Sequence, residues 1–138
     1  MSSQDLRSIK DLSWLNGITI LIAEDDHTNY SLLVAMLKYS KAKIVWAQNG
    51  QEAVNFIKDK PAKEKCIVLM DIKMPIVNGY EANKQIKEFD SHIPVIAVTA
   101  YAQLTDREKI MQNNFDAYIT KPIDLHNFLN ILAEYANS

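Results

Sequence analysis

Cys66-Ile67-Val68-Leu69-Met70-Asp71-Ile72-Lys73-Met74-Pro75 is the stretch whose reading decides the fold. An unbroken apolar run leads into a single aspartate, and Pro75 and then Asn78-Gly79 follow. A short continuous apolar run bounded by turn signals reads as a strand covered on both faces. Asp71 then stands at the carboxyl end of a central parallel strand. In open α/β sheets that edge is where ligands bind. A lone aspartate after a strand can also simply cap the next turn, so its role depends on what else reaches the same edge.

Upstream, Ile18-Thr19-Ile20-Leu21-Ile22-Ala23 is a second buried strand, followed by Glu24-Asp25-Asp26-His27-Thr28-Asn29. Tyr30, Leu33, Val34 and Leu37 recur at helical spacing and predict a helix through about Lys38. Residues 43–47 form a strand. Asn49 and Glu52 have cap and third-position spacing, Ala53, Phe56 and Ile57 share a face, and Pro61 ends that helix. Downstream, Asn78 and Glu81 repeat the cap spacing, ahead of a face of Ala82, Ile86 and Phe89. Residues 94–98 form a strand ending in Thr99-Ala100. Thr105-Asp106-Arg107-Glu108 is a capping box for a short helix. Asn113-Asn114 ends that helix, with Asn114 able to take the left-handed conformation. Ala117-Tyr118-Ile119-Thr120 is the last strand, followed by Lys121-Pro122. Asp124 caps a final helix with Leu125, Phe128, Leu129, Leu132 and Tyr135 on its face, and Ile123 and Phe128 sit at hydrophobic-staple positions.

Five strands alternating with five helices predict an α/β domain, a doubly wound (βα)5 unit with a parallel five-stranded sheet. The first, third and fourth strands are the most apolar and belong in the centre. Order 2-1-3-4-5 satisfies that and puts the switch point between strands one and three.

The 138 residues are 48% apolar, enough for one core. Residues 1–16 read as a leader with a weak helical pattern (Leu6, Ile9, Leu12, Trp14, Leu15), able to pack on the domain or on a neighbour. Residues 17–138 read as the domain. No apolar run approaches the ~20 residues of a membrane helix, and no secretory signal is visible. The lone Cys66 excludes an internal disulfide and suits a cytoplasmic location. A net charge of −2 without a basic block gives no footprint for nucleic acid. His27, His92 and His126 lack metal-ligand spacing and read as surface positions or caps. Met36, Met70, Met74 and Met111 read as packing, and Trp46 as a cover for the sheet edge.

The switch point brings Glu24 and Asp25 beside Asp71. Each carboxylate pair within ~5 Å costs roughly 3 kcal/mol at an effective dielectric near 20. Mg²⁺ is the usual compensation for such a cluster; fanning into solvent or uptake of a proton are the alternatives. Thr99 and Lys121 stand on the same edge, and a hydroxyl and an ammonium facing an Asp–metal site suit a phosphoryl group. Asp71 is then the nucleophile, Lys121 and the metal neutralise phosphoryl oxygens, and Thr99 donates to one of them.

With these residues in place the chain resembles the CheY-like receiver domains of two-component response regulators, a flavodoxin-like fold. The motifs are Ile20-Leu-Ile-Ala-Glu24-Asp25, Leu69-Met-Asp71-Ile-Lys-Met-Pro75, Asn78-Gly79, Val98-Thr99-Ala100 and Tyr118-Ile-Thr-Lys121-Pro122, and coverage runs from about Gly17 to the C-terminus. The resemblance implies that Asp71 accepts the phosphoryl group and binds Mg²⁺ with Asp25 and the backbone carbonyl of Lys73, while Glu24 acts through water. It implies that Lys121 bridges to the phosphoryl group through a cis bond to Pro122, and that Thr99 and Tyr118 form a switch pair. Asp26 is a third consecutive acid, so the acidic pair can slip by one residue; Asn29 in register favours Glu24 and Asp25. Asn114 departs from the glycine that many relatives carry.

The implied partners are a histidine kinase or phosphotransfer domain and a downstream protein or kinase domain. The downstream partner would dock on the face of the fourth helix, fifth strand and fifth helix. A homodimer is a further option, and neither nucleic acid nor membrane is contacted by this chain. The leader Asp11-Leu-Ser-Trp14-Leu-Asn-Gly17 is similar to the link before a receiver fused behind a sensor kinase, as in hybrid histidine kinases. Such a domain is a signalling module and catalyses only its own phosphorylation and dephosphorylation.

Three rivals share the fold or the chemistry. A flavin or nucleotide module needs phosphate donors after the first strand, where Glu24-Asp25-Asp26 repels phosphate. An aspartyl phosphatase typically has a second Asp two residues after the nucleophile, where Lys73 stands. A degenerate receiver would lack some of the chemical groups, whereas all are present here.

Overall fold

The computed structural model describes residues 13–100 and 104–136. Parallel strands β1 (Thr19–Ala23), β2 (Lys43–Ala47), β3 (Cys66–Asp71), β4 (Val95–Thr99) and β5 (Ala117–Thr120) form one sheet in the order β2-β1-β3-β4-β5. Each strand feeds a helix: α1 (His27–Met36), α2 (Gly50–Asp59), α3 (Gly79–Phe89), α4 (Leu104–Gln112) and α5 (Leu125–Ala136). The expected fold class and strand order are those observed. Every residue of β1, β3 and β4 is buried, while β2 and β5 at the edges are only partly so. A strand covered on both faces has no polar side to spare, which is why the apolar gradient of the sequence ranks the strands from centre to edge.

Strand alternation divides the core in two. Leu21, Val68, Met70, Val95 and Ala97 point to one face, where Ala53, Val54 and Ile57 of α2, Ala82 and Ile86 of α3, and Ile110 of α4 cover them. Ile20, Ile22, Ile67, Leu69, Ile96 and Val98 point to the other, under Leu33 of α1 and Phe128, Leu129, Leu132 and Ala136 of α5. Leu15, in a 3-10 turn at Ser13–Leu15, is fully buried in this second cluster. The core therefore reaches back two residues past Gly17, and that end of the leader packs on the domain.

The expected caps hold at three helices. Asn49 accepts from the Glu52 amide, Asn78 from the Glu81 amide, and Asp124 from the amides of His126 and Asn127. Two local expectations fail. Thr105 lies inside α4, which already includes Leu104, so it does not precede the helix as a cap; Thr-x-x-Glu spacing is equally compatible with a first helical turn. Phe89 is 53% exposed rather than on the buried face of α3, because it ends the helix at the rim. The buried places on α3 belong to Ala82, Ile86 and Asn83, whose amide donates to the Asn113 carbonyl at the end of α4. Leader positions Leu6, Ile9 and Leu12 lie outside the described residues.

Candidate functional site

The register of the sheet assembles the site as a staircase. Ala23 pairs with Met70, so Glu24 falls beside Asp71. Asp71 pairs with Val98, so Thr99 stands one step beyond. Thr99 pairs with Thr120, so Lys121 stands one step beyond that, its amide donating to the Thr99 carbonyl at 2.8 Å. One residue along a strand is ~3.3 Å, so four strand ends deliver their polar residues to one small volume. The order in which strands pair does this work; the residues are far apart in the chain.

Carboxylate oxygens of Glu24, Asp25 and Asp71 lie within 4.8 Å of one another. Glu24 is 1% exposed and Asp71 8%, whereas Asp25 faces solvent. Lys121 Nζ lies 3.2 Å from Glu24 Oε1 and 3.9 Å from Asp71 Oδ1. Burial pushes the Glu24 carboxyl up to about 7, helped by a side-chain hydrogen bond with Asp71 and by the Asp71 charge. Lys121 and the Asp26 amide act in the opposite direction. Burial first, and the Asp71 carboxylate beside it, thus favour the protonated form of Glu24. The Lys73 amide donates to Asp71 Oδ1 at 3.4 Å, and the Lys121-Pro122 bond is cis, as the resemblance implies.

The three consecutive acids are placed differently. Asp26 caps α1, accepting from the amides of Thr28 at 2.7 Å and Asn29 at 3.3 Å, so its carboxylate is committed to the helix. Glu24 and Asp25 are the two that converge on Asp71. Asn78-Gly79 also has a clear duty. The Gly79 amide donates to the Ile72 carbonyl at 2.9 Å, and a Cβ at Gly79 would stand 2.4 Å from the Asp71 carbonyl oxygen. Only glycine lets α3 start this close to the end of β3.

Thr99 is buried, and strand alternation puts it on the same sheet face as Ala97. Tyr118 pairs with Ala97 and packs against that same first cluster, so Thr99 and Tyr118 are diagonal neighbours on one face. Arg107 of α4 lies 5.8 Å above the Tyr118 ring. One contributor was missed in the sequence. Trp46 does lie on edge strand β2, but its indole Nε1 also donates to the Glu24 carbonyl at 2.7 Å, and its ring stacks on Tyr30 at 4.1 Å. The available signal was chemical: a half-buried indole N–H needs an acceptor, and the acidic loop is the nearest backbone.

These groups fit a divalent cation. All three side chains offer hard oxygen donors, the ligands that such a cation takes. Among the described residues, no helix is long and apolar enough to cross a membrane.

Residues 20–133 match the family described as response regulator receiver domain. The chain is 36% identical over 119 residues to the polar-differentiation response regulator DivK of Brucella anthropi, covering 85% of this chain and 94% of that one. It is 41% identical over 112 residues to hybrid signal transduction histidine kinase I of Dictyostelium discoideum, a match over 76% of this chain that spans only 6% of the kinase. Among solved structures it resembles the co-crystal of the Saccharomyces cerevisiae histidine phosphotransfer signaling protein Ypd1 with the receiver domain of Ssk1, at TM-score 0.79 and 30% identity, covering 89% of this chain and 91% of that one. It also resembles the receiver domain of sensor histidine kinase PA1611 from Pseudomonas aeruginosa, which has a magnesium ion in its active site cleft, at TM-score 0.78 and 29% identity, covering 88% and 99%. The strand-end staircase and the family match agree: this chain belongs to the response regulator receiver domains of two-component signal transduction.

Proposed function

We propose that Asp71 accepts a phosphoryl group from the phosphohistidine of a histidine kinase or phosphotransfer domain, with Mg²⁺ bound, and that Thr99 and Tyr118 carry the change to the face of α4, β5 and α5. The observation that carries this reading is the convergence of Glu24, Asp25 and Asp71 within 4.8 Å under the Lys121 ammonium. When bound, Mg²⁺ supplies positive charge for the carboxylates and phosphoryl oxygens. Asp25, Asp71 and the Lys73 carbonyl would hold it directly, and Glu24 through water.

An Asp71 oxygen attacks phosphorus in line, the P–O bond forms, and the P–N bond breaks. Its electron pair stays on the imidazole, which leaves neutral when its other nitrogen already carries a proton. Lys121 moves from Glu24 toward the phosphoryl oxygens as negative charge accumulates there, and the Thr99 hydroxyl donates to one of them. That movement vacates space on the sheet face shared by Thr99 and Tyr118, which the Tyr118 ring enters, carrying Arg107 and α4 with it. Both positions of the ring pre-exist, and the phosphoryl group changes their populations through its differential interaction.

The Ypd1–Ssk1 complex supports a phosphotransfer protein as donor, and the family supports a signalling module that catalyses only its own phosphorylation and dephosphorylation. We assign residues 17–138 to the receiver and residues 1–16 to a link, in a cytoplasmic protein. Acetyl phosphate with Mg²⁺ should add one phosphoryl group, and borohydride trapping followed by peptide mapping should place it on Asp71. A label on another residue overturns the assignment.

A further inference from the structure

The acidic loop is a short connection between β1 and α1, and one side chain outside the acids fixes it. Trp46 Nε1–H donates to the Glu24 carbonyl at 2.7 Å. The Glu24 amide is itself held by the Ala47 carbonyl at 3.0 Å. The Trp46 indole therefore holds the peptide plane joining Glu24 to Asp25, and Ala47 holds the plane before it, both from β2. Its carbonyl points at the indole, and the amide of Asp25 points the opposite way, because the peptide is planar and trans. Holding this plane restricts ψ of Glu24 and φ of Asp25, the two torsions that relate one acid to the other.

The indole is held in turn. Tyr30 from the first turn of α1 stacks on it, with ring centroids 4.1 Å apart and planes 8° from parallel, and the His27 ring lies across it at 63°, with centroids 5.7 Å apart. Asp26 caps the same helix, so β2, the acidic loop and the start of α1 close on one another around Trp46. From this geometry we infer that Trp46 is a positioning residue for the cation site: its indole N–H sets the affinity for Mg²⁺ by fixing the Glu24–Asp25 peptide, without touching the cation. The inference rests on the reading of Glu24, Asp25 and Asp71 as that site. Partners that orient metal ligands from outside the coordination sphere typically change affinity by about 10- to 100-fold when removed.

The test is the Mg²⁺ dissociation constant, measured by calorimetry on the full chain at fixed pH, for the wild type and two variants. Trp46→Phe keeps a ring against Tyr30 and removes the donor; it should weaken Mg²⁺ binding about tenfold or more. Val45→Ala trims the neighbouring residue of β2, which packs on the opposite face of the sheet in the first cluster. It loosens the same strand without touching the loop and should leave the dissociation constant within about twofold, well short of the change in the donor-less variant. Metal-free melting temperatures of both variants show how far each disturbs the fold. A Trp46→Phe protein that binds Mg²⁺ like the wild type overturns the inference alone. Equal weakening in Val45→Ala also overturns it, by assigning the effect to general loosening of β2. A wild type that binds no Mg²⁺ overturns both the reading of the site and this inference.

Discussion

Gly79 shows how a single residue without a functional group determines where a functional one stands. A Cβ there would meet the Asp71 carbonyl oxygen at 2.4 Å and the Ile72 Cα at 2.8 Å, and backbone atoms cannot swing aside as a side chain can. Gly79→Ala is expected to cost about 1–3 kcal/mol in urea unfolding, with slower phosphorylation because the end of β3 is displaced. Glu24 gives a pH prediction. Its folded-state carboxyl at about 7 lies above the ordinary 4.5, so between those values the folded chain holds a proton that the unfolded chain has released. The contribution to metal-free stability is complete below 4.5 and is lost as pH rises through about 7. Unfolding free energies measured in EDTA at pH about 5 and about 8 should therefore fall with pH, and Glu24→Gln should flatten that slope. Asp71, Thr99 and Lys121 were legible because each follows an apolar run, and a run's end can be counted along the chain. Which acid is pushed toward its protonated form, and the closer approach of Lys121 to Glu24 than to Asp71, were not legible. They depend on burial and on side-chain reach across strands.

At the scale of elements, hydrophobic periodicity and cap spacing located the helices well, because both are local. Long-range polar ties left no such trace. Lys87, in the last turn of α3, reaches Asp116 Oδ2 at 2.6 Å and the Ile93 carbonyl at 2.7 Å, and the same Asp116 oxygen accepts from the Val95 amide at 2.7 Å. This knot ties α3 to the starts of β4 and β5, at the amino-terminal edge opposite the site. Lys87→Met leaves the Ile93 carbonyl and part of Asp116 without a donor. It should destabilise by about 1–3 kcal/mol, read as a lower urea midpoint, while phosphorylation under native conditions keeps its rate. A rate that fell with stability would mean that the two edges of the sheet are coupled. Phe89 and Thr105 mark the limit of local reasoning. A helical period cannot tell a last turn at the rim from one over the core, and a capping pattern is the same whether or not the helix starts one residue earlier.

For the whole molecule, strand order was legible because burial on two faces demands a fully apolar strand, which ranks β1, β3 and β4 inside β2 and β5. Order then determines which loops meet, and so which charges repel. Mg²⁺ should stabilise the folded chain by about 2.7 kcal/mol at a hundredfold excess over its dissociation constant. Asp25→Ala should remove that response in thermal melts and raise stability in EDTA by relieving repulsion. The switch is also a property of the whole fold. Beryllofluoride, a phosphoryl mimic, should shift NMR signals from Asp71 through Thr99 to Tyr118 and α4, and Thr99→Ala should confine the shifts to the site. Full spread in that variant would remove Thr99 from the route.

The central claim is that Asp71 is the nucleophile, and intact mass spectrometry during incubation with acetyl phosphate tests it most directly. The wild type in Mg²⁺ is expected to gain one phosphoryl adduct and to lose it slowly after the donor is removed. Asp71→Asn keeps the shape of the side chain and removes the attacking oxygen, and it should gain none on the same timescale. An Asp71→Asn protein that acquires the same adduct at the wild-type rate would contradict the account.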